Sequence, residues 1–111
     1  MGSNKYEKVI LPEAESDIIE ILDYIHDELK NPTAAKKLYQ NILEAIDRAS
    51  LFPYAMPKLK NEVITAGREY RRLDVENYVL IYKVVEELKQ IRIMAVFYGP
   101  SNVVSRFLDR I

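Results

Sequence analysis

The sequence predicts an α+β fold in which a helical hairpin covers one face of an antiparallel sheet, in the order β-α-α-β-β-β with a C-terminal helical turn. In the first half, apolar residues recur every three or four positions through two neighbouring segments, 12–30 and 32–50, which is typical of amphipathic helices. From 70 to 98, β-branched and aromatic residues are interrupted only by short polar turns, which is typical of a β-meander. A chain of 111 residues has the usual size of one domain, so we expect 1–111 to fold as a single unit.

The first half is predicted to contain a short strand and two helices. Residues 6–11 (YEKVIL) form the strand, and residues 1–3 (Met-Gly-Ser) look like a cloning remnant. Pro12 begins the first helix, and Asn31-Pro32 supplies an N-cap and first turn for the second. The predicted buried stripes consist of Ile18, Leu22, Ile25 and Leu29 in the first helix, and Ala35, Leu38, Ile42, Ile46 and Ala49 in the second.

The second half is predicted to form the sheet. Residues 51–67 contain two prolines and a glycine without a sustained period, which indicates a loop. After it, 68–75 form a strand, and Glu76-Asn77 form a tight turn in which asparagine takes the positive φ. Residues 78–85 are apolar on both faces, as in a central strand, and 91–98 complete the meander.

Composition excludes several classes of function. The 16 basic and 17 acidic residues give a net charge of -1, so no global field attracts nucleic acid or an anionic membrane. The absence of cysteine excludes disulfides and thiolate metal sites and suits a cytoplasmic protein. No apolar run is long enough to span a membrane, so no membrane association is expected. The acidic clusters at 23–28 and 86–87 are interpreted as solvated, and no metal or cofactor site is predicted.

Several features together resemble the RelE/ParE superfamily of type II toxin–antitoxin toxins. They are the order of elements, the Pro12-Glu13-Ala14 start of the first helix, the Phe52-Pro53 end of the second, and "YRRLDVENYVLIYKV" followed by "IRIMAVFYG". The resemblance covers nearly the whole chain. It implies a toxin linked to growth inhibition and plasmid stabilisation, with a cognate antitoxin as its protein partner.

The resemblance also separates two mechanisms. Members of the RelE branch cut messenger RNA on the ribosome, whereas the ParE branch is implicated in poisoning DNA gyrase. RelE-type nucleases carry two arginines and a tyrosine at positions that align with Val79, with Ser101 or Asn102, and with Phe107. RNA cleavage needs a base, an acid and a cation, and all three of these side chains are missing. We therefore expect ParE-like target binding, without enzymatic activity.

Two alternatives remain open at the sequence level. The first is a ribosome-dependent endoribonuclease with a rearranged site, whose catalytic candidates are Arg72, Tyr98 and Glu69. For Tyr98, half-buried packing at a strand end is the competing interpretation. The second alternative is a degenerate, non-toxic member that binds only a partner.

Five cations are candidates for contact with the target or RNA: Arg71, Arg72, Lys58, Lys60 and Arg106. A solvated sheet edge that prevents edge-to-edge pairing is the competing interpretation for most of them. On the central strand, Val79, Ile81 and Lys83 lie on the face that the helical hairpin leaves open. That face needs a cover, whether the C-terminal segment or a second protein. These three residues are therefore predicted to bind the partner.

Overall fold

The computed structural model describes residues 5–59 and 69–111, which form a four-stranded sheet with helices on both faces. The strands are β1 (Glu7–Ile10), β2 (Arg71–Val75), β3 (Tyr78–Val85) and β4 (Gln90–Tyr98), in the spatial order β1-β4-β3-β2. The α+β fold and the meander are confirmed. However, β1 runs parallel to β4, so the sheet is mixed and not wholly antiparallel. The predictions for residues 1–3, Lys60, the rest of the 51–67 loop and Arg68 lie outside the described residues, and the strand predicted at 68–75 begins at Arg71.

The first helix changes its pitch before it ends. Helix α1 (Pro12–Asp23) begins with proline in its first turn, as predicted, and continues into a π-helical turn at Tyr24–Glu28. A π turn has more residues per turn than an α-helix, so each residue is rotated about the helix axis by a smaller angle. This change of angle moves Leu29 off the buried face of the helix. Leu29 is 56% exposed, which corrects the prediction that it is buried. Lys30 then ends the segment with a positive φ of 52°.

Helix α2 (Pro32–Leu51) follows the sequence prediction closely. The side chain of Asn31 accepts a hydrogen bond of 3.1 Å from the backbone N–H of Ala34, which confirms the N-cap. Every residue of the predicted stripe is buried: Ala35, Leu38, Ile42, Ile46 and Ala49. Of the described helices, none is both long and apolar enough to cross a bilayer.

The sheet separates two hydrophobic cores. The first lies under α1 and α2, and its largest sheet residue, Tyr82, is fully buried and donates a hydrogen bond of 2.7 Å to the carbonyl of Pro53. The second lies under a short C-terminal helix, α3 (Val103–Leu108). The buried members of the second core are Leu59, Tyr70, Val79, Ile81, Ala95, Phe97, Val103 and Phe107. The chain's own C-terminal segment therefore covers much of the face that the helical hairpin leaves open.

Two local features adjust the meander. Ile81 pairs with Ala95 while Tyr82 pairs with Ile93, so Met94 is an extra residue in β4, a β-bulge. In the β2–β3 turn it is Glu76, with φ of 54°, that takes the left-handed conformation, which corrects the prediction for Asn77. A hydrogen bond of 2.8 Å from the Asn41 side chain to the Glu76 carboxylate ties this turn to α2.

Candidate functional site

Arg71 is an internal anchor and is not a surface cation. Its side chain points to the face of β2 that meets the helices, and the residue is only 8% exposed. Nη1 donates hydrogen bonds of 3.2 Å to the carbonyl of Tyr54 and 2.7 Å to that of Met56, and the guanidinium lies 5.3 Å from the centre of the Tyr54 ring. Both sequence-based interpretations, a target contact and a solvated edge charge, are therefore corrected. Arg71 holds the segment that follows α2 against the sheet.

Arg72 lies on the opposite face and remains accessible. Its neighbours Leu73 and Val75 belong to the first core, so strand alternation directs Arg72 to the other side, as predicted. Its side chain is 37% exposed and forms an ion pair of 2.8 Å with Asp74 two residues along the strand. Arg72 can therefore reach a ligand, but its charge is already partly neutralised.

Lys58 and Glu69 neutralise each other beside β2. The backbone of Lys58 forms an isolated antiparallel β-bridge with the backbone of Arg71. The Lys58 Nζ lies 3.0 Å from the Glu69 carboxylate. Hydrogen bonding from Lys58 holds the pKa of Glu69 below its ordinary value. A carboxylate that stays ionised in this way is poorly suited to act as a general acid. The structure thus places Glu69 in an ion pair.

Tyr98 and Arg72 do not converge on one site. The ring of Tyr98 packs edge to face against Tyr78, with 5.7 Å between ring centres, and Tyr78 packs against the first core. Arg72 leaves the sheet on the face of the second core. The candidates Arg72 and Tyr98 are therefore separated by the thickness of the sheet.

The positions predicted to align with nuclease residues have structural roles. Val79 is 2% exposed and Phe107 is 1% exposed, both in the second core, and the Phe107 ring packs against Tyr70 at 4.8 Å. Asn102 is the N-cap of α3, accepting a hydrogen bond of 3.3 Å from the N–H of Ser105. The hydroxyl of Ser101 donates to the carbonyl of Tyr98. The side chains at these positions therefore fill the second core or cap α3.

The predicted partner-binding residues fall into two groups. Val79 and Ile81 are 2% and 0% exposed beneath α3 and its neighbours, so a partner has no access to them in this conformation. This corrects the expectation that they form an open apolar face, because the C-terminal segment fills it. Lys83, farther along β3, is only partly buried and remains accessible.

The contacts of Asp17 with Val96 and Arg110, which we call the ionic latch, join α1 to β4 and the C-terminus and were not predicted from the sequence. The Asp17 carboxylate accepts hydrogen bonds of 2.9 Å from the Val96 backbone N–H and from Arg110 Nη1. Strand β1 ends at Ile10, which pairs with Ile93. The Val96 N–H lies past this end, so it has no backbone carbonyl of β1 to bind and instead donates its hydrogen bond to the Asp17 side chain. No sequence pattern links Asp17 to Arg110, because 93 residues separate them.

Arg106 and Tyr98 line one cleft of about 420 Å³ between α1, the end of β4 and α3. The Arg106 guanidinium lies 5.1 Å from the centre of the Phe97 ring and donates a hydrogen bond of 3.3 Å to the hydroxyl of Ser101. Asp17, Glu20 and Asp109 line the same cleft, so its charge is mixed. Across residues 5–59 and 69–111, no group of three or more His, Asp and Glu side chains is placed to hold a metal ion.

Glu86 is the centre of a second network, at the other end of β3. It accepts hydrogen bonds of 2.8 Å from the Tyr6 hydroxyl and 2.5 Å from the Tyr54 hydroxyl, and it pairs with Lys89. These donors, Lys89 first, lower the pKa of Glu86 to about 2. The same hydrogen bond to Glu86 raises the pKa of Tyr54 to about 12. This network joins the strand β1 region, the segment after α2 and the β3–β4 turn.

Comparisons with known proteins place this fold among toxin–antitoxin systems. The family model described as the ParE toxin of the type II toxin–antitoxin system parDE matches residues 9–101. The structure is similar to one of the chromosomal ParDE toxin–antitoxin system from P. aeruginosa, with a TM-score of 0.67 and 21% identity over 86% of this chain and 98% of that chain. It is also similar to the toxin–antitoxin complex RelBE2 from Mycobacterium tuberculosis, with a TM-score of 0.58 and 17% identity over 85% and 91% of the two chains. A search of curated proteins found no match. The two structural matches share this α+β fold.

Proposed function

Because the chain belongs to the ParE toxin family of type II toxin–antitoxin systems, we propose that it arrests growth by binding DNA gyrase and that a cognate antitoxin neutralises it. The competing mechanism is RelE-type cleavage of messenger RNA on the ribosome. The single observation that carries the choice is the use of Val79, Asn102 and Phe107 for packing and capping.

The missing groups would cripple a nuclease. Positioned acid–base groups contribute typically about 10²–10⁴-fold to such reactions, and a positioned donor to the developing charge contributes about another 10²–10³-fold. Valine and phenylalanine supply neither, and both are buried. A mechanism that needs these positions would therefore lose several orders of magnitude in rate.

The rearranged nuclease site has no support from the geometry. Arg72 and Tyr98 project from opposite faces of the sheet, and Glu69 is engaged by Lys58. A phosphate held by Arg72 would be out of reach of the Tyr98 hydroxyl. The overall charge of -1 also gives no surplus for the phosphate contacts that ribosome binding requires.

Among the described residues, three of the predicted cations remain as target contacts: Arg72, Arg106 and Lys58. Each is accessible, and each is engaged locally, by Asp74, by Ser101 and the Phe97 ring, and by Glu69, respectively. The surface ion pairs of Arg72 and Lys58 contribute only about 0–1 kcal/mol, so a target carboxylate can replace Asp74 or Glu69 at little cost.

The test is expression of the chain in a bacterium, with a RelE-type nuclease toxin as a positive control for RNA cleavage. We expect growth arrest, a defect in plasmid supercoiling and induced DNA damage, without new ends in translated messages by primer extension. Purified chain should also inhibit supercoiling by purified gyrase.

Two outcomes would contradict the proposal. Codon-registered cuts on translating ribosomes would establish the nuclease mechanism. Normal growth, together with unchanged gyrase activity, would favour a non-toxic member that binds only a partner.

A further inference from the structure

Two cations face each other across neighbouring strands on the second face of the sheet. Lys83 of β3 and Arg92 of β4 are register partners. The neighbours Tyr82, Ile91 and Ile93 all belong to the first core, so alternation directs Lys83 and Arg92 to the opposite face. Directly opposed residues in an antiparallel pair have their Cβ atoms about 4.5–5.5 Å apart.

The described part of the chain does not neutralise this pair. Neither Lys83 nor Arg92 forms an ion pair with any residue in 5–59 or 69–111. Within the described ranges, the one side-chain hydrogen bond of Arg92 is donated by Nε, over 3.2 Å, to the side-chain oxygen of Gln90. The carboxylates of Glu69, Glu86 and Glu87 line the same cleft as Lys83. Glu69 pairs with Lys58 at 3.0 Å, Glu86 pairs with Lys89, and Glu87 is exposed in the β3–β4 turn without an ion pair to Lys83 among the described residues. Glu7, beside Arg92, accepts a hydrogen bond of 2.5 Å from the Gln90 amide.

The opposed cations destabilise the fold of the chain when no ligand is bound. Like charges directly opposite each other on a sheet are destabilising, and both residues are partly buried, which removes some of the water that would screen them. An anion placed between the two side chains would relieve the repulsion and complete the hydrogen bonding of the guanidinium.

Apolar side chains border the two cations. Val9 of β1 is the register partner of Arg92, and Val85 of β3 is two residues beyond Lys83. Both valines are half-buried, because α3 lies over the residues near Phe97 at the other end of the sheet. Lys83, Arg92, Val9 and Val85 together form what we call the cationic strip.

We propose that the cationic strip binds an acidic segment of the cognate antitoxin, with a carboxylate between Lys83 and Arg92 and apolar side chains on Val9 and Val85. The assignment rests on the proposed function, which supplies the antitoxin. A peptide with acidic and apolar side chains matches the two cations and the two valines. A nucleic acid matches less well, because its backbone repeats a negative charge and needs many cationic contacts, whereas the strip offers two cations on a chain with a net charge of -1.

The test uses Lys83→Glu, with Lys37→Glu as the matched control. Lys37 is an exposed residue of α2, so the control makes the same change of charge away from the strip. The probe is the candidate antitoxin, defined as a product of an adjacent open reading frame that co-purifies with the chain when the two are co-expressed. The dissociation constant of the complex between each variant and the probe is measured at low and at high salt. The melting temperature of each variant is measured without the probe.

We expect opposite effects on folding and binding. Lys83→Glu places a carboxylate opposite Arg92, so the melting temperature should rise while the antitoxin dissociation constant increases at least about tenfold and depends less on salt. In cells the variant should still arrest growth but should escape neutralisation. Lys83→Gln should weaken binding less, in the same direction, and Lys37→Glu should leave binding unchanged.

Other results would overturn the inference. An unchanged dissociation constant for Lys83→Glu would exclude the strip from the antitoxin interface. Loss of growth arrest with unchanged antitoxin binding would assign the strip to the toxin's target, and the proposed function would stand. Failure of the wild-type chain both to arrest growth and to bind the neighbouring protein would contradict the proposed function itself.

Discussion

Two adjacent arginines illustrate how much the face of a strand decides. Arg71 and Arg72 have the same chemistry and neighbouring positions, yet strand alternation places one inside the protein and the other at its surface. Arg71 satisfies two backbone carbonyls after α2, whereas Arg72 forms a surface ion pair with Asp74. We therefore expect Arg71 to stabilise the fold and Arg72 to contribute to target binding.

Replacement of each arginine by alanine tests this division. Arg71→Ala leaves the Tyr54 and Met56 carbonyls without their donor, so the free energy of unfolding in urea should fall by roughly 2–3 kcal/mol. Arg72→Ala removes an accessible ion pair and should cost less than about 1 kcal/mol. It should nevertheless weaken growth arrest. Equal destabilisation by both, or full toxicity of Arg72→Ala, would contradict the division.

At the scale of elements, α3 depends on the rest of the chain. Its six residues are too few for a helix that is stable by itself. Burial of Phe107 against Tyr70 and the ion pair of Arg110 with Asp17 hold it over the second face of the sheet. The latch therefore links the position of α3 to the end of β4.

Asp17→Ala should open this latch. The change removes the acceptor of both the Val96 N–H and Arg110, so the free energy of unfolding should fall by about 1–3 kcal/mol. Hydrogen exchange should accelerate at Val96 and in α3. Glu13→Ala is the control, because Glu13 is exposed and contacts Arg110 at 3.3 Å, and its cost should stay below about 1 kcal/mol. Unchanged exchange at Val96 in Asp17→Ala would show that the latch does not hold α3.

At the scale of the whole molecule, carboxylates link stability to pH. The pKa of Glu86 lies at about 2 against an ordinary value of 4.5, and ion pairs also lower the pKa of Glu69 and Asp47. A carboxyl group with a lower pKa in the folded state binds protons more readily when unfolded. Its stabilising effect is therefore complete above the unfolded pKa and is lost as the pH falls through the folded one.

Glu86→Gln tests this linkage. The wild-type chain should be more stable than the variant at neutral pH, and the difference should shrink as the pH falls from about 4.5 toward about 2. Urea unfolding across this range measures it. Glu87→Gln, the adjacent exposed residue, should show no comparable change. A difference between wild type and Glu86→Gln that stayed constant with pH would mean that Glu86 stabilises the fold without its charge.

The sequence by itself determined the local elements of this protein. The apolar periods of α1 and α2, the N-cap at Asn31 and the three strands of the meander were all predictable, because backbone geometry sets their repeats over a few residues. The same local pattern supports the superfamily resemblance, which the family match confirms. It also predicts that side chains needed by a RelE-type nuclease are missing.

Tertiary structure alone decided which distant residues meet. The parallel pairing of β1 with β4, the anchoring of Arg71, the cover of Val79 and Ile81 by α3 and the latch from Asp17 to Arg110 all join residues far apart in the chain. Likewise, the separation of Arg72 from Tyr98 appears only when both strands take their places in one sheet. The physical reason is that a periodic pattern reports which face of an element is buried, whereas the path of the folded chain determines what buries it.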